Sequence, residues 1–330
     1  QKLQAKQKGF TLLELLVVIT LLATLATAAL TAYNGIGDSA SDTAAANNLL
    51  SAQSALNNYR AIESGYPDQW DNIANASGVD ASGGEATGVA ILRAGQTSSF
   101  LGQWLVTDAG TDTSVWKAVA DAMNAVGIEE LQSLDSNATF ATGFVPNLAL
   151  NESYPLTTNP GTELEFWASD ASGALFGGTS VTTASISIVP SGGDAGTCST
   201  VGGGNPSLAS PFTGTALIDN KRLNLISDAL DDDACALVLA VGYGKDVPGS
   251  TSGDKVEISQ VPTLGTNNVN PANNYARAIA LFHVGSADED GITPDVIQVT
   301  DIFKKARLIG LVDPEGRVID QVLASANQDN

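Results

Sequence analysis

Phe10-Thr11-Leu12-Leu13-Glu14 opens the run FTLLELLVVITLLATLATAAL, which ends at Leu30 and contains neither Pro nor Gly. Its length is about the 20 residues that a helix needs to cross the hydrocarbon core of a bilayer. Lys2, Lys6 and Lys8 precede it, and the run itself holds no Lys or Arg, which is the charge asymmetry of a segment whose start stays in the cytoplasm. A secretory signal peptide has a similar basic start, but its apolar region is shorter and ends at a small-residue cleavage site. Here the apolar character passes instead into a second helical pattern. Leu49, Ala52, Leu56, Tyr59 and Ile62 recur three or four apart, with Asn47, Asn48, Gln53, Asn57 and Asn58 elsewhere on the surface. Residues 10 to 62 therefore read as one rod, apolar all round in residues 10–30 and amphipathic in residues 44–62, where its stripe packs on a head. Gly35 and Gly37 each cost about 1 kcal/mol relative to Ala inside a helix, so a kink or melted stretch is expected there.

Glu14 is the residue that an ordinary anchor does not explain. A carboxylate within an apolar span costs about 2.5–3.5 kcal/mol on insertion scales unless it reaches water or a partner. Beyond the rod, the chain has 330 residues and a formal charge of −21, with acidic residues spread along it. That length suffices for a large core. The charge argues against nucleic acid as a partner, and it makes heads repel one another, so assembly must rest on apolar burial. Cys198 and Cys235 are the two cysteines, the smallest number that can close a disulfide. In an exported chain their pairing would stabilise the head by roughly 3–4 kcal/mol.

Lys8-Gly9-Phe10-Thr11-Leu12-Leu13-Glu14, followed by Leu-Leu-Val-Val-Ile, resembles the processing and assembly signature of type IV pilins and type II secretion pseudopilins. The resemblance covers roughly the first fifty residues. It implies that residues 1–9 are a leader removed after Gly9 by a prepilin peptidase, and that Phe10 becomes the N-methylated N-terminus. It also implies that Glu14 pairs with the terminal ammonium of an adjacent subunit. Physics agrees with that role, because an unpaired carboxylate and an unpaired ammonium are both costly in an apolar filament core, and the register that pairs them is favoured. One feature departs from the pattern. Thr31 stands where the family commonly has Pro, although Tyr33 matches an aromatic often found just after it. If the residues ahead of Phe10 were retained, no amine would exist there, and Lys8 would be the nearest cation for Glu14.

The head, residues 63–330, reads as α+β: a pilin-like antiparallel sheet with the long helix packed across it and extra loops and helices. Glu63-Ser64-Gly65-Tyr66-Pro67-Asp68 is a helix-stop signal. Residues 71–111 read as loops with short strands. Asp112–Leu134 reads as helical, with Trp116, Val119, Met123 and Val126 as a core stripe and Asp112 or Ser114 as cap. Strands are expected at Leu164–Trp167, Ser180–Val189, Ala236–Val241, Val256–Val261, Ala276–Val284 and Val296–Thr300. Arg307–Val312 and Arg317–Val322 flank Asp313-Pro314-Glu315-Gly316 as an expected hairpin. Ser191–Asn205, which contains Cys198, reads as a Gly-rich loop tied back to Cys235; pilins often staple a head loop in this way.

The sequence argues against an enzyme. His283 is the only histidine and lies in an apolar strand pattern, as a satisfied sheet histidine would. Gly249–Gly253 lacks the nucleophile elbow, having Thr251 at its centre, and Gly242-Tyr243-Gly244-Lys245 is too short for a phosphate loop. Asp288, Asp290 and Asp295 offer hard oxygen ligands on a loop, so calcium is the one candidate cofactor, as in some pseudopilin heads. The spacing is not an EF-hand, since Ser286 and Ile297 stand at its first and twelfth positions, and a solvated acidic loop is the favoured reading. Asp231-Asp232-Asp233 is weaker still. Asn75, Asn137 and Asn151 begin glycosylation sequons.

The expectation is a major pilin: a structural subunit held in the bacterial inner membrane by a single helix, then polymerised with copies of itself into a cell-surface filament by an assembly machine. The alternatives are a pseudopilin of a type II secretion system and a tip-located adhesin or minor pilin whose head binds a ligand.

Overall fold

A computed structural model of the chain describes residues 11–67, 69–73, 101–107, 115–128, 130–132, 163–164, 183–192, 198–200, 221–227, 230, 235–243, 277–287 and 296–328. Helix α1 spans Leu12–Glu63, 52 residues without a break. It runs on through Gly35 and Gly37, so of the kink or melted stretch expected there the melted stretch is absent. Two glycines cost about 2 kcal/mol, but interrupting the helix would also require a second, unfavourable nucleation beyond them. The hydroxyls of Thr20, Thr24 and Thr27 each donate to a carbonyl of the preceding turn, so the polar groups of the apolar half are satisfied within the helix.

The stop signal works, with its parts in different roles from those expected. The left-handed residue is Ser64, at φ 60°, whose amide donates to the Arg60 carbonyl at 2.9 Å. Gly65 serves a close approach instead, because a Cβ there would lie 3.1 Å from the carbonyl oxygen of Val126. The Tyr66 amide donates to that same oxygen at 2.7 Å.

The head is built on an eight-stranded, mostly antiparallel, curled sheet. Its strands are β1 (Gln69–Asn72), β2 (Gly102–Thr107), β3 (Glu130–Gln132), β4 (Glu163–Leu164), β5 (Thr183–Val189), β7 (Ala236–Gly242), β8 (Ile279–Ser286) and β10 (Ile302–Val312). The main path runs β10-β8-β7-β1-β3-β4, and β5 joins β2 to β7. The pair β1 with β3 is parallel. A separate two-stranded parallel ladder joins β6 (Ser199–Thr200) to β9 (Val296–Ile297). The apolar helix and this sheet give the α+β, pilin-like class expected.

Strands β7 and β8 are buried along nearly their whole length, which is why they read as continuous apolar runs rather than alternating ones. Alternation sorts them between two cores. Leu237, Leu239, Val241, Ala280, Phe282 and Val284 join the core that contains Leu49 and Leu56 of α1. Val238, Ala240, Ile279 and Leu281 face the other way, toward Val189, Leu223 and Leu230. Leu223 belongs to α3 (Lys221–Ile226), a short helix that the sequence reading lacked.

Three local readings are corrected. The Asp112–Leu134 helix is α2, Val115–Asn124, followed by a turn and then by β3. Gly127, at φ 93°, ends it, and a side chain there would stand 2.9 Å from the Tyr66 carbonyl oxygen. Trp116, Val119 and Met123 are buried as expected, with Val126 partly buried against the same core. The Val296–Thr300 strand stops at Ile297 and gives way to a 3-10 turn at Val299–Asp301, where the Asp301 carboxylate accepts the Gln298 amide at 2.7 Å.

The third correction is the expected hairpin, whose second arm is a helix. The Asp313 carboxylate accepts the amides of Glu315 and Arg317 and the Arg317 guanidinium, which closes the turn. Val318 makes a single bridge to Val312, and the chain then enters α4, Ile319–Gln328, which packs on α1. Val318, Ile319 and Val322 suit a three-to-four period as well as a strand, and burial of Val322 in the α1 core decides it. The expected strand at Val256–Val261, most of that at Leu164–Trp167 and all three sequons lie outside the described residues.

Cys198 and Cys235 are joined by a disulfide, 37 residues apart in sequence, and both are buried. It fastens β6 beside the start of β7. Replacing both cysteines with Ser is expected to lower the stability of the head by about 3–4 kcal/mol. Denaturant unfolding of the oxidised, the reduced and the doubly substituted chain checks this, the last two being expected to coincide.

The candidate assembly helix and its support

Thr11 and Glu14 close a reciprocal cap at the start of α1. The Thr11 amide and hydroxyl donate to Glu14 Oε2 at 2.9 and 3.0 Å, and the Glu14 amide donates to Thr11 Oγ1 at 3.3 Å. The carboxylate thus satisfies donors that a helix start leaves over, and it sits at the positive end of the helix dipole. The pattern Thr-x-x-Glu ahead of an apolar run was a readable signal for this cap. Gly9, Phe10 and Lys8, the residues tied to processing and to the alternative pairing of Glu14, lie outside the described residues.

Downstream of the cap, Leu12–Leu30 is long and apolar enough to cross a membrane, with mean hydropathy 2.3 and none of the segment buried in the single chain. Leu12 is 83% exposed and Leu30 is 65% exposed. An apolar surface of that length requires lipid or other protein around it.

The remaining half of α1 is held by the head. Ala45, Ala46, Leu49, Ala52, Leu56 and Tyr59 are buried, whereas Ile62, expected to complete the stripe, is 60% exposed. Ala55 and Tyr59 already form a small cluster apart from the main core, so by its last turn the helix has passed the edge of that core. The buried Tyr243 hydroxyl donates to the Ala52 carbonyl at 3.1 Å, tying the end of β7 to the helix backbone. At the other end of the packed half, Asp42 accepts Arg317 Nη1 at 3.1 Å and the Ser325 hydroxyl at 2.8 Å. Arg317 also pairs with Asp313 and Glu315 at 2.8 Å each. Burial pushes the Asp313 carboxyl up, against the pull of Arg317. Asp42 and Arg317 were not singled out from the sequence; their meeting is a product of the fold alone.

His283 is buried in β8, as expected of a sheet histidine. Its Nε2 lies 3.0 Å from the Gly285 carbonyl oxygen and 2.8 Å from the Ser286 hydroxyl, and its ring packs edge-on against Phe303. Burial lowers its pKa to about 4, opposed by the Gly285 carbonyl and assisted by Arg307. Between pH 6.5 and about 4 the unfolded chain therefore binds a proton that the folded chain resists, so stability falls as pH falls through that window. The expected loss is on the order of 2–3 kcal/mol, and His283→Gln should flatten the slope of stability against pH across it. Thermal unfolding of both chains at intervals from pH 7 to pH 4 checks this.

Among the described residues, no group of three or more His, Cys, Asp and Glu could hold a metal ion. Asp288, Asp290 and Asp295, the candidate calcium ligands, lie outside the described residues, as do Asp231–Asp233 and Gly249–Gly253.

The family model for the prokaryotic N-terminal methylation motif matches residues 4–30. No curated protein and no solved structure matches the chain. The motif implies processing by a prepilin peptidase and assembly into pili or secretion machinery. Together with the apolar helix it fits a precursor anchored in the inner membrane. The signature that this chain carries at its N-terminal end is that of the type IV pilins and pseudopilins.

Proposed function

We propose that the chain is a major pilin, the structural subunit of a type IV pilus or related extracellular filament. The observation that carries this reading is the division of α1: Leu12–Leu30 stands wholly unburied with a capped carboxylate at its start, while Ala45–Tyr59 is built into the head. In this reading Leu12–Leu30 lies in lipid before assembly and packs against the same segment of other subunits afterwards. Apolar burial then holds together heads whose net charge makes them repel. Peptidase cleavage after Gly9 frees the amine of Phe10, and Glu14 exchanges its own cap for that amine on a neighbouring subunit, which selects one register among the ways apolar helices can slide. The work is mechanical, and no active site is needed for it.

Electron microscopy of filaments sheared from cells, with mass spectrometry of the main band, tests the proposal. Long filaments made of this chain, beginning at methylated Phe10, support it. Short filaments seen solely on overproduction of a secretion system point to a pseudopilin, and long filaments in which this chain is confined to the tip point to an adhesin.

A further inference from the structure

Strand β10 carries Lys304, Lys305 and Arg307, three of the 15 basic residues of a chain whose net charge is −21. All three are exposed, while Ala306 between them is buried. They sit where the ladder is irregular. Ile302 pairs with Gly285 and Arg307 with His283, so five steps along β10 answer two along β8. The surplus residues, 303–306, have no Cα partner in the β8 ladder, and both lysines are among them. Among the described strands β10 pairs with β8 alone, apart from the single Val312–Val318 bridge at its far end, and so forms the edge of the sheet. Bulges at edges re-aim side chains, and here the side chains re-aimed are cations.

The other basic side chains described in the head and its helix are engaged. Arg60 donates to the Tyr66 hydroxyl and lies over its ring, Lys117 pairs with Asp121, Arg317 pairs with three carboxylates, and Arg277 is buried. Lys304, Lys305 and Arg307 form no ion pair among the described residues. Arg307 rests over the Phe303 ring at 4.6 Å, which orients its charge without neutralising it. Charges on an edge strand do discourage edge-to-edge pairing, but carboxylates would serve that end equally in so acidic a chain.

We infer that the Lys304–Arg307 bulge is a docking surface for an acidic face on the head of a second copy of this chain. The inference rests on the filament reading given above. A helical filament needs a heterologous contact, in which one patch meets a different patch on the next subunit, and a basic strip on an acidic molecule is of that kind. Two heads that repel overall are thereby steered into one orientation, with the strip setting register at the filament surface while the helices supply the cohesion.

The test compares filaments from cells expressing the full chain with those from Lys304→Glu/Lys305→Glu and Lys304→Gln/Lys305→Gln chains. Reversal is expected to lower the sheared filament yield by roughly tenfold, and neutralisation by less, with the membrane pool, the disulfide and the melting temperature of the subunit unchanged. Wild-type filaments should also fragment as salt is raised from 0.1 to 1 M, where charge interactions are screened beyond about 3 Å. Reversal filaments that match wild type in yield and salt resistance overturn the inference and leave the filament reading standing. Absence of wild-type filaments overturns both. Retention of a short DNA duplex by wild-type filaments, lost in the reversal chain while filament yield stays the same, overturns it in favour of a nucleic-acid surface.

Discussion

Glu14→Leu is expected to abolish filaments while the subunit accumulates in the membrane. The substitution makes the span more apolar, so insertion does not suffer; on insertion scales it removes a cost of about 2.5–3.5 kcal/mol. On the proposed filament reading, what is lost is the group that distinguishes one helix register from another. It also strips the α1 start of the acceptor for Thr11, a loss confined to the first turn. Glu14→Gln separates these effects, because an amide oxygen can still accept from Thr11 but carries no charge to pair with an amine. If charge pairing directs assembly, both variants fail to assemble; if the cap is what matters, Gln retains filaments and Leu does not. Quantifying the chain in membrane and sheared fractions, side by side, reads the difference, and wild-type yield from Glu14→Leu would remove Glu14 from the assembly step altogether.

Trp70→Ala should be the most destabilising single truncation in the head, at about 3–5 kcal/mol. Trp70 is fully buried in the first strand after the long helix. Its ring meets Tyr243 and Phe282 edge-on, at centroid distances of 5.0 and 5.5 Å, and its Nε1 donates to the Pro67 carbonyl at 2.8 Å. Truncation therefore opens a large cavity, removes two aromatic contacts and leaves a buried acceptor unmet. Tyr66 packs on Phe282 in the same group, so the loss falls on the turn that joins α1 to the sheet. Trp70→Phe keeps part of the ring and loses the donor, and should cost less. A fall in melting temperature of roughly 8–12 °C for the Ala chain is expected, and a shift under about 3 °C would mean that the site collapses around the gap.

The long helix, the buried strands and the lone histidine were legible because each is written in local sequence. Phe10–Leu30 needs no partner to be recognised as a span, and β7 and β8 are continuous apolar runs because both their faces are covered. The cap of Glu14 is equally local, since Thr11 stands three residues before it. Where the reading failed, the deciding contact lay far away. Val318–Val322 carries both periods, and α1 selects the helix from a distance that no window covers. Gly65 and Gly127 look alike as breakers, yet one answers to a carbonyl 61 residues downstream and the other to a positive φ. The Asp42–Arg317 pair and the Lys304–Lys305 bulge are likewise invisible in sequence, since neither spacing nor composition announces a meeting across 275 residues or a surplus in a ladder.

The placement of α4 against α1 has a consequence for the order in which the molecule comes into being. Asp42 leaves the ribosome early, and its partners Arg317 and Ser325 follow 275 and 283 residues later. At about 5–20 residues per second, that interval is on the order of 15–60 s. Throughout it the anchor is already made, while the helix that covers its packed half is still untranslated. Until α4 is made, the face of α1 that it covers stays open, so the packing of the head on α1 is complete only once α4 has been delivered.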